Sequence, residues 1–97
     1  MTAYLIVNFD VDDRDQYKQY QKGAAPSLGV GTTSRLVAYD HGTNQVEGQG
    51  AGHQTVVLEF ESMEAAKAAY DSEAYQEVLP LRLEATSNHF ALLVEGA

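Results

Sequence analysis

Four runs of β-branched and aromatic residues are separated by two segments in which apolar side chains recur every three or four positions. The switch between a period of 2 and a period of 3.6 constrains this chain more than any other feature, because each period belongs to one kind of backbone. In chain order it reads strand, helix, strand, strand, helix, strand. That is the order of a ferredoxin-like α+β fold, in which a four-stranded antiparallel sheet carries its helices on one face.

The first strand covers residues 3–9, Ala-Tyr-Leu-Ile-Val-Asn-Phe, and the acidic cluster Asp10, Asp12 and Asp13 closes it. Asp13 can cap a helix with Tyr17, Tyr20, Ala24 and Leu28 on one stripe. Gly23 and Pro26 predict a kink or restart within that helix, and Gly29 and Gly31 predict its end. Strands follow at Ser34 to Tyr39 and Gln54 to Phe60. Between them, the glycine-rich segment from Asp40 to Gly52 reads as a long, mobile hairpin loop over the mouth of the fold, with Val46 as its one apolar anchor. Ser62 caps a second helix with Met63, Ala66 and Tyr70 buried, Asp71 and Ser72 break it, and Tyr75, Val78, Leu79 and Leu83 form a further stripe despite Pro80. The last strand is expected from His89 to Glu95.

At 97 residues the chain has room for one domain, residues 1–97, and one core. Its net charge of −8 repels phosphate backbones and anionic lipid, so neither nucleic acid nor membrane is an expected partner. The absence of cysteine excludes thiolate chemistry, and no apolar run is long enough to span a bilayer. With no leader pattern at the N-terminus, a cytoplasmic protein is expected.

Strand parity divides the sheet residues into two sets. Leu5, Val7, Phe9, Leu36, Ala38, Val56, Leu58, Phe60, Phe90, Leu92 and Val94 are assigned to the helices. Tyr4, Ile6, Asn8, Arg35, Val37, Tyr39, Thr55, Val57, Glu59, His89, Ala91, Leu93 and Glu95 then face outward, with no element left to cover them. Ile6, Val37, Val57 and Leu93 would leave an apolar patch in water, so a symmetric homodimer, sheet against sheet, is expected. Polar groups caught between the sheets could line a pocket for a small molecule.

The chain resembles the domain-of-unknown-function family 1330, a branch of the dimeric α/β-barrel superfamily. The likeness runs through Ala3-Tyr4, the Asp13, Tyr17 and Tyr20 helix start, Val46-Glu47-Gly48 and Val57 to Ser62. It is densest from Ala68 to Gln76 and at Leu79-Pro80-Leu81-Arg82, and Leu93-Val94-Glu95-Gly96 closes it. Ala69, Glu73 and Tyr39 depart from the residues common in the family, which are Trp, Pro and Arg. The resemblance implies a ferredoxin-like fold that dimerises through its sheets, and it implies no assigned activity. The wider superfamily includes cofactor-free monooxygenases, haem-degrading enzymes and isomerases beside stress proteins without known chemistry.

Glu59 is a candidate general base if an interface desolvates it and raises its pKa; the competing reading is an ion pair with Arg35 or with a charge on the other subunit. Glu95 is a weaker case of the same kind. His89 or His53 could serve as a base, although a strand-end histidine exposed to solvent explains either as well. His41, His53 and His89 lack metal-ligand spacing, so neither a metal nor a cofactor is expected. Tyr4, Asn8, Arg35 and Tyr39 are candidate ligand-binding groups on the open face. Arg82, within the Leu-Pro-Leu-Arg match, either clamps a carboxylate at the barrel mouth, caps a helix end, or pairs with Glu84 or Asp71. Two readings follow. One is a protein that binds or transforms a small polar or aromatic metabolite between the sheets, as a cofactor-independent oxygenase or isomerase using Glu59, His89 or Tyr39. The other is a non-catalytic stress or interaction module whose open face serves only dimerisation.

Overall fold

In the computed structural model, which describes residues 1–97, strands β1 (Ala3–Val11), β2 (Ser34–Asp40), β3 (Gln54–Phe60) and β4 (Thr86–Glu95) form one sheet. Its order is β2-β3-β1-β4 and every neighbouring pair is antiparallel. Three helices, α1 (Arg14–Ser27), α2 (Met63–Asp71) and α3 (Glu73–Ala85), complete the ferredoxin-like α+β arrangement.

The helix starts follow local chemistry. The Asp13 carboxylate accepts from the Gln16 N–H at 3.1 Å and the Ser62 hydroxyl oxygen from the Ala65 N–H at 3.1 Å, each satisfying a donor left over by the first turn. Ser72 serves two helices, donating to the Ala69 carbonyl at 2.8 Å and accepting from the Tyr75 N–H at 3.2 Å. Its extended backbone makes the expected break between α2 and α3.

The expected interruption of α1 at Gly23 and Pro26 is not there. Pro26 sits in the last turn of an unbroken helix, and Gly23 is a packing residue, since a Cβ on it would meet Val78 Cγ1 at 2.6 Å. The missing side chain lets α1 press against α3, its principal neighbour. Val46 anchors nothing, being 91% exposed. The 41–53 loop is instead tied by polar side chains. Asn8, 5% exposed, donates from Nδ2 to the carbonyls of Gly52 and Gln54 at 3.1 and 3.2 Å and accepts from the Gly52 N–H at 2.6 Å. Asn88 holds the Gly50 carbonyl, and Asp10 accepts from the His53 backbone N–H at 3.1 Å.

The core lies between sheet and helices, around Leu5, Phe9, Tyr17, Leu58, Phe60 and Tyr75. Parity held along β1 and β3 but failed on both edge strands, for one physical reason. A bulge puts two residues opposite one and turns every later side chain over. In β2, Leu36 pairs with Leu58 but Ala38 pairs with Val57, so Val37 is the extra residue. Beyond it Tyr39 pairs with Val56 and lies on the helix side, while Ala38 joins the open face. In β4, Ser87 pairs with Asp10 and Phe90 with Asn8, leaving Asn88, at φ 52°, and His89 together opposite Phe9. Phe90, Leu92 and Val94 therefore face outward opposite Asn8, Ile6 and Tyr4, and Ala91 and Leu93 face the core, the reverse of the sequence expectation.

Candidate functional site

Helix α1 leans on α3 and leaves the edge strand β2 only partly covered, which opens a cleft of about 150 Å³ between α1 and the sheet. Leu5, Val7 and Phe9 of β1, Val56 and Leu58 of β3, Ala24 of α1 and Leu28 just past its end form its apolar walls. Three tyrosines reach it: Tyr17 and Tyr20 from α1 and Tyr39 from β2. Tyr39 is there only because of the Val37 bulge. Its hydroxyl accepts from Gln21 Nε2 at 2.5 Å, a bond that joins α1 to β2 across the mouth. Its ring also stands edge-on to His41, 4.8 Å between centroids. No carboxylate and no imidazole lines this cleft.

The tyrosines form a connected set. Tyr17 stacks on Tyr20 with centroids 5.8 Å apart, Phe9 meets Tyr17 edge-on at 5.4 Å, and the Tyr20 and Tyr75 hydroxyls share a hydrogen bond of 2.8 Å. Burial, followed by the neighbouring Tyr39, pushes the Tyr17 phenol up from its ordinary value; burial, followed by Tyr75, does the same to Tyr20. Both stay neutral and keep a proton to donate.

Arg82 lies deeper than a barrel-mouth clamp would. It is 2% exposed, its guanidinium carbon 5.4 Å over the Phe9 ring and 5.8 Å over the Tyr20 ring. It makes no ion pair with Glu84 or Asp71, and its Nε has no acceptor.

The open face holds a second arrangement. Arg35, Glu59 and Tyr4 stand in register across β2, β3 and β1. Arg35 Nε donates to Glu59 Oε1 at 3.2 Å and the Tyr4 hydroxyl to Oε2 at 3.0 Å. Both face assignments stand, though the Arg35 side chain is 68% exposed rather than partly buried. The expected raised pKa of Glu59 is not found. The Arg35 bond first, and the Tyr4 bond second, hold its carboxyl below the ordinary carboxylate value. A folded-state pKa below the unfolded one stabilises the fold fully above the unfolded value, about 4.3, and the contribution is lost as pH falls from there through the lower folded-state value. Arg35→Ala should move the Glu59 titration back up, followed through its carboxyl carbon by NMR; an unmoved midpoint would show that Arg35 does not hold it.

The remaining candidates are dispersed. His89 lies in the β4 bulge opposite Phe9, whereas Glu59 pairs with Tyr4, five residues and about 16 Å away along β1. One chain does not bring them together. Asn8 is consumed by the loop. Both His53 ring nitrogens are occupied, Nδ1 by Asp10 at 3.0 Å and Nε2 by the Val11 N–H at 3.3 Å. That pairing leaves no free ring nitrogen for base catalysis. The cleft residues Tyr17, Tyr20 and Gln21 were missed as a site because a tyrosine stripe on a helix reads as core, which these also are.

The chain is similar in structure to a protein of unknown function from Rhodopseudomonas palustris, with 12% identity, a TM-score of 0.76 and coverage of 99% of this chain and 82% of that one. A dimeric ferredoxin-like protein of unknown function from Thermobifida fusca matches at 16% identity and TM-score 0.65, covering 99% and 92%. SnoaB, a cofactor-independent oxygenase from Streptomyces nogalater, matches at 11% identity and TM-score 0.64, covering 99% and 93%. No functionally curated protein matches the sequence. At these identities the likenesses speak for the fold. The family model named Domain of unknown function (DUF1330) matches residues 2–97, and the chain belongs to that family.

Proposed function

We propose that this protein binds a small, largely apolar metabolite in the cleft beneath α1, and that it does so as a homodimer joined through its open sheet faces. The cleft carries the first part. It is apolar, holds three phenols, and at about 150 Å³ has the volume at which an apolar protein cavity takes up one benzene ring. In this reading the ligand sits on the helix side rather than between the sheets, with Tyr39 at the cleft mouth and Arg82 behind its wall. The lining supports binding rather than proton abstraction, because it contains no base. Glu59, Arg35 and Tyr4 belong in this reading to the dimer interface.

The dimer is supported by the open face. Phe90 and Leu92 are each 48% exposed, and Val94, Ile6 and Val57 extend the patch. The similar Thermobifida fusca protein is described as dimeric. A second copy covers such a face by symmetry, with the Arg35–Glu59 pair at its margin.

Ala25 tests the cleft because it lies at the mouth, exposed, where a larger side chain fits without disturbing the core. Benzyl alcohol should raise the melting temperature of the parent by mass action and leave Ala25→Trp unshifted, with affinity reduced at least about tenfold. An equal shift in both would put the ligand elsewhere. A screen of small aromatic and polar metabolites with no stabiliser would favour the interaction module. Because SnoaB is a cofactor-independent oxygenase, oxygen consumption with each stabilising compound is the activity to measure.

A further inference from the structure

We infer that the natural occupant of this cleft is a monoanion, a carboxylate or phenolate-type acid on a body of about one aromatic ring, drawn there by the uncompensated cation of Arg82. The inference rests on the cleft reading above and adds the charge of the ligand.

Arg82 is 2% exposed, yet no carboxylate lies within 4 Å of it and its Nε has no acceptor. The faces of Phe9 and Tyr20 attract the guanidinium, but ring quadrupoles return only part of what burying a full charge costs. Both rings wall the cleft, so the cation lies one ring's thickness behind that wall and adds a positive contribution to the potential inside it. A second buried donor stands beside the same wall: Gln54, fully buried on β3 and paired in register with Phe9, has no acceptor for its Nε2.

The lining has the same polarity. Tyr39 accepts from Gln21 and so can turn its own proton toward the cleft, and Tyr17 is a neutral donor. Although the chain has fourteen acidic residues, none reaches the lining. A cationic ligand would find no counter-charge there. A neutral one would fit without answering the buried charge, whereas an acid sets its negative charge across the ring wall from Arg82 and accepts from the tyrosine hydroxyls that line the cleft.

Titration calorimetry with benzoate, benzyl alcohol and benzylamine near pH 7 decides the matter. Benzoate should bind the parent tighter than benzyl alcohol by on the order of tenfold, the effect of one unit charge across the thickness of a ring at a protein site. Benzylamine should bind weakest. Arg82→Met, which removes the buried charge and keeps an apolar filling, should abolish the preference, and Arg82→Lys should retain it. Ala25→Trp should remove binding of all three probes. Equal binding of benzoate and benzyl alcohol by the parent, or a preference that survives in Arg82→Met, overturns the charge assignment and leaves the cleft reading intact. If no probe binds the parent, the cleft reading fails and the inference with it. Should Arg82→Met not fold, the parent's benzoate to benzyl alcohol ratio decides alone.

Discussion

Leu92→Asp is expected to convert the proposed dimer to monomer, raising the dimer dissociation constant about a thousandfold. Leu92 stands opposite Ile6 on the open face, between the outward-facing Phe90 and Val94. In the proposed dimer it lies in the apolar centre of the contact. An aspartate there has no cation in register with it, Glu59 and its partner Arg35 lying two and three strands away. Burying an unpaired carboxylate costs about 3–5 kcal/mol, and about 4 kcal/mol is a thousandfold in affinity. Sedimentation velocity across a concentration series reads the change, with circular dichroism to show that the variant remains folded. Val57→Asp, on the same face, should behave alike, and Val46→Asp on the exposed loop should leave the dimer unchanged. A Leu92→Asp protein as dimeric as its parent would mean that the copies meet elsewhere.

Gly52→Ala is expected to lower the melting temperature by roughly 12–24 °C. A Cβ at Gly52 would land on the backbone of Phe9, within 2.7 Å of its Cα and nearer to its carbonyl, and a backbone cannot swing aside as a side chain can. The loop end would have to lift from β1. Asn8 would then lose its exchange with Gly52, the 2.6 Å bond it accepts and the 3.1 Å bond it donates, while remaining buried. Overpacking costs about 1–3 kcal/mol and an orphaned buried amide about 1–3 kcal/mol. Because Asn8 Nδ2 keeps the Gln54 carbonyl and the Thr55 hydroxyl, the total falls at about 3 kcal/mol, in the lower half of the combined range of about 2–6 kcal/mol, and at about 4–8 °C per kcal/mol for a domain of this size it gives the shift. Calorimetry should show Gly42→Ala, where a Cβ meets nothing within 4 Å, melting with the parent. If Gly52→Ala also melted with the parent, the contact between loop and strand would not be holding the fold.

Both predictions depend on tertiary detail, yet the scaffold they act on was legible in the amino-acid order. Periods of 2 and 3.6, capping by Asp13 and Ser62, the break at Asp71 and Ser72, and the glycine-rich stretch before β3 are local signals. They sufficed for the element order and the ferredoxin-like fold, and the family resemblance agreed with the match over residues 2–97. Along β1 and β3, the inner strands, apolar residues alternate with others and the pairing is regular, so parity placed Tyr4 and Glu59 correctly. Arg35 precedes the bulge in β2 and was placed correctly for the same reason.

What the sequence left open was decided where pairing departs from one residue against one. Residues 90–94, Phe-Ala-Leu-Leu-Val, are apolar at every position, so no alternation selects an inner face. The choice falls to register, set by α3 running directly into β4 at the buried Thr86 and by the two-residue bulge at Asn88 and His89. The Val37 bulge likewise carries Tyr39 from the open face into the cleft, and no local pattern announces it. Arg82 appeared in the sequence as one cation with several plausible partners. Only the packing of α3 over Phe9 and Tyr20 leaves it buried, with no carboxylate against it. Sequence determined which elements form, because their signals are short-range, and tertiary structure determined which side chains share a site, because a one-residue change in pairing reverses a strand's faces.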